Sequence, residues 1–281
     1  MRIEGDFQRD GAVCVRGAFD PGFVALAAEA IEANLADLSP HAKRASAADD
    51  GAFVEDFCSW QRIAPMERFI RESPAAAIAA ELMGASTVRL YHDHVLVKEP
   101  GTRQPTPWHQ DQPYYNVDGR QSASMWFPVD PVPLAATLRF VAGSHVGPWY
   151  MPRSFLDGEA KWFAEGELAE LPAIDESLRS PATQAATTAQ SEQAPPSPSP
   201  LGPILAWELE PGDAVFFHML TLHSSGGSAT RRRVLSVRFL GDDMVHAPRP
   251  WTTSPPFPGL DDELPPGAPM DHRLFPVLWS S

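Results

Sequence analysis

The alternation of apolar and polar positions changes character along this chain. Gly11-Ala12-Val13-Cys14-Val15-Arg16-Gly17 reads as a short strand held between glycines. Asp20 and Pro21 follow as a helix N-cap and first helical residue, and the Ala- and Leu-rich run from Pro21 to about Leu38 has helical period. Two shorter helices are predicted around Met66–Glu72 and Pro74–Met83. From Thr87 onward the texture becomes that of strands. Val88–Val97, Ser122–Val129, Thr137–Val141, Ala214–His218 and Arg233–Phe239 are rich in Val, Leu, Phe and Tyr and are separated by turn residues such as Ala142-Gly143-Ser144 and Pro211-Gly212-Asp213. Helices first and short strands afterwards predict a mainly β fold with flanking helices, a sandwich or barrel with a helical buttress.

Two stretches depart from this rhythm. About 180–203 is a Ser, Pro, Thr, Ala and Gln segment with almost no bulky apolar side chain. It cannot bury enough surface to offset its ordering entropy, so a mobile surface insertion is expected there. From Arg249 the chain is Pro-rich, but Trp251, Phe257, Phe275 and Trp279 predict that it packs onto the rest of the molecule.

Composition narrows the function classes. The 281 residues suit a single domain spanning 1–281, and 30 prolines argue against an all-helical protein. Thirty-six acidic against 22 basic residues set a net charge of −14, which repels phosphate backbones and excludes nucleic acid as the expected partner. Cys14 and Cys58 form no ligand pattern and are expected as reduced thiols. With no apolar leader after Met1 and no run of about 18 apolar residues, neither a signal peptide nor a membrane span is expected, and a cytoplasmic location follows. A small-molecule substrate is the expected partner; the oligomeric state is not legible.

The nine histidines carry most of the candidate chemistry. His41, His246 and His272 lie in polar or Pro-rich stretches and are expected at the surface, while His145 is expected to order the turn it follows. In Trp108-His109-Gln110-Asp111-Gln112, a His and an Asp two residues apart share one face of an extended strand. One distant His would complete the two-His, one-carboxylate face that holds non-haem Fe(II) with positions open for oxygen and a co-substrate. His218 and His223, five residues apart, would face opposite ways on one regular strand, so only one of them can serve unless a bulge intervenes. His92-Asp93-His94 is a competing pair that could join Asp111 or Glu99.

The ordered set His109-Gln110-Asp111, Trp126, Ala142-Gly143-Ser144-His145, Gly212 to His218, His223-Ser224-Ser225-Gly226 and Arg231-Arg232-Arg233 resembles the phytanoyl-CoA dioxygenase-like branch of Fe(II)/2-oxoglutarate-dependent oxygenases, from about Asp10 to at least Gly241. The resemblance implies a double-stranded β-helix, the jelly-roll or cupin-like core. It implies Fe(II) on His109, Asp111 and His223, with His218 structural. It also implies 2-oxoglutarate and O2 as co-substrates, and an Arg beyond the distal His as the clamp for the far carboxylate of 2-oxoglutarate. A guanidinium suits that task because its planar fork keeps its charge and bonds a carboxylate at two points. Arg232 matches best, with Arg231 and Arg233 left open because the interval from His223 is shorter than usual. Ser225, Trp126 and His94 match positions that line the co-substrate site. Halogenating relatives lack the carboxylate ligand, so Asp111 favours hydroxylation of an unactivated C–H bond or a related C–H oxidation, with 2-oxoglutarate decarboxylated to succinate.

The family acts on acyl-CoAs, small polar solutes and natural-product intermediates, and no cluster of basic residues marks a CoA phosphate site. Tyr114, Tyr115 and Asp93 are the candidate substrate contacts. Two other readings stand beside the hydroxylase: a cupin-like metal-dependent isomerase or lyase without 2-oxoglutarate, and a non-catalytic jelly-roll binding module.

Overall fold

A computed structural model describes residues 1–152, 154, 168–174 and 202–281. Apart from Gly202 and Pro203, the segment expected to form a mobile insertion lies outside the described residues.

Two antiparallel sheets face each other. The larger follows the order β1 (Arg2–Asp6), β2 (Ala12–Arg16), β11 (Ala214–Phe217), β8 (Ser122–Pro128), β13 (Arg232–Leu240), β5 (Thr87–Lys98), β4 (Phe53–Phe57) and β3 (Lys43–Arg44), with β15 (Val277–Ser280) also paired to β5. The smaller runs β10 (Ile204–Ala206), β9 (Leu138–Val141), β12 (His223–Ser225) and β6 (Thr106–His109). A two-stranded ribbon joins β14 (Val245–His246) to β7 (Val117–Asp118). This is the jelly roll that the resemblance implied.

Period-two alternation explains why the larger sheet is buried on both faces. Along β13, Leu235, Val237 and Phe239 point into the main core, whereas Val234 joins the core between the sheets. β8 repeats the pattern with Ala123, Met125 and Phe127 on one side and Trp126 on the other. The helices cover the first face, beginning with the single turn α1 (Phe7–Asp10), whose Phe7 joins the main core. α2 (Pro21–Ala36) starts where the Asp20 carboxylate accepts the Gly22 and Phe23 N–H groups, and Pro21 occupies its first turn. α3 (Ala64–Glu72) packs beside it, α4 (Ala75–Met83) lies against β5, β8 and β15, and Gly84 ends α4 at φ 65°, a conformation glycine adopts without a Cβ penalty. Phe69 from α3 stacks on Phe127 at 5.4 Å, which ties the helical layer to the sheet.

β5 carries one irregularity with functional weight. Its register with β13 slips between Arg238 and Phe239, so Arg238 pairs with His92 and Phe239 with Leu90. Apolar residues on the helix side are therefore even-numbered before the slip (Val88, Leu90) and odd-numbered after it (Val95, Val97). His94 consequently faces the inter-sheet space, while Asp93 turns towards the helices.

The C-terminal segment packs as its aromatics predicted. Phe275 is fully buried and stacks on Tyr91 at 5.4 Å, and Trp251 donates through Nε1 to the Pro113 carbonyl. It also overturns one expectation. His246 is completely buried, not superficial. Its Nδ1 lies 2.6 Å from the Leu264 carbonyl and its Nε2 3.1 Å from Asp261 Oδ1, because the later helical turn Leu260–Glu263 folds over it. Local polarity said nothing about that cover. His41 and His272 are partly exposed. His145 is buried, with Nε2 3.2 Å from the Gln8 carbonyl.

Candidate metal centre and co-substrate cavity

His109 closes β6 and His223 opens β12, and the two are direct register partners across the antiparallel pair. Their rings lie 4.1 Å apart, centroid to centroid. Asp111 joins them by a different route from the one the alternation argument assumed. The strand stops at His109, and Asp111 has φ −74° and ψ −46° at the entry to the 3-10 turn Gln112–Tyr114. The N–H groups of Asp111 and Gln112 both donate to the Met219 carbonyl, at 2.8 and 3.0 Å. That fork, and not a continued strand, aims the carboxylate. Asp111 Oδ1 is 3.7 Å from Nε2 of each histidine, and one ligand atom from each residue lies within 4.8 Å of the others. Among the described residues this is the one His/Cys/Asp/Glu group able to hold a metal ion.

Neighbouring groups set the chemical state of each donor. His109 Nδ1 lies 2.8 Å from the Pro107 carbonyl, and His223 Nδ1 lies 2.9 Å from the Thr221 carbonyl. A carbonyl only accepts, so Nδ1 carries the proton in both rings and Nε2 presents its lone pair. Burial, with the adjacent His223, pushes His109 down to about 3, and burial likewise lowers His223; both are neutral at physiological pH. Burial alone would raise the Asp111 carboxyl, but the Arg238 guanidinium and the two imidazoles outweigh it and hold it below the ordinary carboxylate range. Asp111 Oδ2 is occupied by Ser124 Oγ at 2.6 Å and Arg238 Nη2 at 3.1 Å, which leaves Oδ1 turned towards the histidines. Two neutral imidazoles and one carboxylate are the protonation states that metal binding requires.

The two candidate distal histidines prove to lie on different elements. β11 ends at Phe217, and His218 sits in the connection to β12. Its Nε2 donates to the Arg120 carbonyl at 2.8 Å and its Nδ1 accepts the Leu220 N–H at 3.0 Å, so both ring nitrogens serve the loop. His92 is buried against Tyr91 and Tyr115, with Nδ1 3.0 Å from the Asp93 carbonyl.

A narrow cavity between the sheets runs past His109 and His223 and is lined by His94, Trp126, Ser225 and Arg232. Arg232 is only 3% exposed. It donates to the Ala136 carbonyl, its guanidinium lies 5.3 Å over the Trp126 ring, and its Nε has no partner within the protein. Burial lowers it to about 10, so it stays charged at neutral pH. Arg231 and Arg233 face outwards. Arg231 pairs with Glu32 at 2.8 Å and Glu99 at 3.2 Å, and Arg233 with Asp130 at 2.6 Å and Glu32 at 2.9 Å. Ser225 Oγ contacts Thr106 Oγ1 at 3.1 Å.

A larger cavity of about 400 Å³ opens on the other side of His109 and Asp111, with Tyr114, Tyr115, Phe57 and Arg238 in its wall. Asp93 is absent from that wall. Its carboxylate instead accepts the Ser59 and Trp60 N–H groups at 2.9 and 3.0 Å, because the β5 irregularity turns it to the helix side.

Arg238, Ser124 and Glu55 reach the site without having been singled out from the sequence. Arg238 was within reach of the period-two rule, being six residues beyond Arg232 on the same strand, and Ser124 stands two before Trp126. Glu55 had no such signal, because β4 is too short and too mixed in polarity to register as a strand.

The fold is the cupin-like jelly roll, and two histidines and an aspartate able to hold a metal ion converge at one end of its smaller sheet. The family model described as phytanoyl-CoA dioxygenase (PhyH) matches residues 7–234, and the chain belongs to that family. No match is found among curated proteins. Solved structures share the fold. The epimerase SnoN in complex with Fe3+, alpha ketoglutarate and nogalamycin RO has a TM-score of 0.70 at 24% identity, covering 97% of this chain and 96% of that one. The non-heme alpha ketoglutarate dependent carbocyclase SnoK from nogalamycin biosynthesis has a TM-score of 0.67 at 21% identity over 96% and 93%. EvdO2 from Micromonospora carbonacea var. aurantiaca, complexed with 2-oxoglutarate, has a TM-score of 0.55 at 19% identity over 87% and 92%. No helix among the described residues is long and apolar enough to cross a membrane.

Proposed function

We propose that this protein is an Fe(II)- and 2-oxoglutarate-dependent oxygenase that hydroxylates an unactivated C–H bond of a small organic molecule. The observation that carries the reading is the convergence of His109 Nε2, His223 Nε2 and Asp111 Oδ1 beside a cavity with a buried, partly unsatisfied guanidinium. Family membership and the two neighbouring structures holding 2-oxoglutarate or alpha ketoglutarate support it.

His109, Asp111 and His223 would hold the iron, which with 2-oxoglutarate and O2 supplies the oxidising power for C–H cleavage as 2-oxoglutarate becomes succinate and CO2. The Pro107 and Thr221 carbonyls fix the tautomers, so no proton has to leave the rings before they bind metal. Ser124 and Arg238 hold the carboxylate in one orientation. Arg232 would clamp the far carboxylate of 2-oxoglutarate, with Trp126 packing beneath it and Ser225 and His94 lining the same cavity. Tyr114 and Tyr115 would contact the primary substrate in the larger cavity, where Phe57 helps to exclude water.

Anaerobic titration of Fe(II) with and without 2-oxoglutarate tests the reading. A weak visible charge-transfer band that needs both components and disappears in His109→Ala is expected. Iron bound without a band would point to the cupin-like isomerase or lyase, and no stoichiometric iron to the binding module.

A further inference from the structure

Glu55 on β4 and His94 on β5 come from adjacent strands, and both line the larger cavity beside His109 and Asp111. Glu55 is 7% and His94 4% exposed. Glu55 Oε2 and His94 Nε2 are 3.6 Å apart, too far for a hydrogen bond. Neither Glu55 Oε2 nor either ring nitrogen of His94 has a hydrogen-bond partner within the protein. The imidazole is held in place instead by stacking on Phe57, with ring centroids 4.0 Å apart. Buried polar atoms without partners are costly, and a carboxylate most of all, so such a pair in a cavity wall points to a ligand that completes it.

The chemistry of the two groups narrows that ligand. A carboxylate accepts only, and a neutral imidazole offers one N–H and one lone pair. 2-Oxoglutarate brings only acceptors and would meet Glu55 as a second carboxylate, so the Glu55 side of this wall does not suit the co-substrate; His94 lines both cavities and stands between the two. An ammonium would donate to Glu55, but Arg238, Lys43 and Arg44 line the same cavity, and a further positive charge is disfavoured. A hydroxyl satisfies both groups with one atom. An oxygen can stand about 2.8 Å from each of two atoms 3.6 Å apart, donating to one and accepting from the other.

We propose that Glu55 and His94 form the recognition point for a hydroxyl group on the primary substrate, so that the enzyme acts on an alcohol or phenol whose apolar body packs along Phe57, Tyr114 and Tyr115. This rests on the oxygenase reading for the meaning of primary substrate, but not for the geometry of the pair.

The test uses the full chain loaded with Zn(II) and 2-oxoglutarate, and two probes of one shape: 2-naphthol and its methyl ether, 2-methoxynaphthalene. Simple apolar partitioning favours the ether. The proposal expects the naphthol to bind about tenfold or more tightly, the worth of a buried hydrogen bond to a charged group. Glu55→Leu should abolish that preference and Glu55→Gln, which keeps an acceptor at the same reach, should retain part of it. Glu55→Leu should also hold or raise the melting temperature, because it removes a buried carboxylate oxygen that the folded protein leaves without a partner, whereas a structural role for Glu55 predicts a loss. Equal affinities, a preference that survives Glu55→Leu, no binding of either probe, or a marked fall in melting temperature would each overturn the proposal. The Fe(II)–2-oxoglutarate band is followed in parallel. Its absence alongside an intact naphthol preference counts against the oxygenase reading alone, and its presence with equal affinities counts against the hydroxyl site alone.

Discussion

Replacing Arg232 by alanine is the sharpest test of the co-substrate site, because its two sequence neighbours serve as internal controls. The guanidinium is 3% exposed and is held by one backbone carbonyl and the Trp126 ring. If it receives the far carboxylate of 2-oxoglutarate, alanine leaves that carboxylate buried and unpaired. Breaking one side of a buried charge pair costs about 3–5 kcal/mol. At about 1.4 kcal/mol per decade, the dissociation constant for 2-oxoglutarate should rise by roughly two to three and a half orders of magnitude. Arg231 and Arg233 sit in surface ion pairs, which are worth about 0–1 kcal/mol, so their alanine variants should shift binding by less than about fivefold. Titration calorimetry of 2-oxoglutarate into the Zn(II)-loaded protein at pH 7.5 measures all three, and Arg232, lowered only to about 10, is charged there. Arg232→Lys keeps the charge and loses the planar fork, so it should fall between wild type and alanine. A loss below about threefold in Arg232→Ala, or a larger loss in Arg233→Ala, would refute the clamp.

Two further predictions concern the scaffold. Phe127 is fully buried, with Phe19 at 4.3 Å and Phe69 at 5.4 Å, so Phe127→Ala should cost about 3–5 kcal/mol in urea denaturation; a loss below about 1 kcal/mol would mean that the helices do not lean on this sheet face as described. His218 is held down to about 4 by burial, against an ordinary value of 6.5. Between those two values the unfolded chain binds a proton that the native one refuses, so stability is lost as the pH falls from about 6.5 to about 4, by at most about 3 kcal/mol. His218→Gln should flatten the fall in melting temperature across that window, and an unchanged slope would show that protonation elsewhere drives it.

Much of this protein was legible in the order of its residues, for physical reasons that differ from one element to another. α2 announced itself because Asp20 and Pro21 are local signals, complete within four residues. β8 and β13 were visible because each carries a dense group of bulky apolar residues, Met125–Phe127 in one and Val234, Leu235, Val237, Phe239 and Leu240 in the other. β3 and β4 were not, since β3 is two charged residues and β4 sets Glu55 and Asp56 in the middle of a five-residue run, and Glu55 was lost with them. The slip between β5 and β13 was equally silent, and it decides that His94 lines the cavities while Asp93 caps a turn.

The candidate metal centre divides along the same line. The residue types His109, Asp111 and His223 stand in the sequence, as does the basic triplet around Arg232. Which arginine turns inwards was open until β13 acquired a register that set Arg232 opposite Lys98 and sent its neighbours to Glu32 and Asp130. Asp111 meets the two histidines through a pair of hydrogen bonds to the Met219 carbonyl, more than a hundred residues away, and not through the strand alternation that first drew attention to it. Short-range signals such as caps, turns and periodicity act between residues a few positions apart, so they can be read along one chain. The pairing of β6 with β12 and the burial of the carboxylate beside Arg238 arise only when distant segments share one low-dielectric space, and that is a property of the folded molecule.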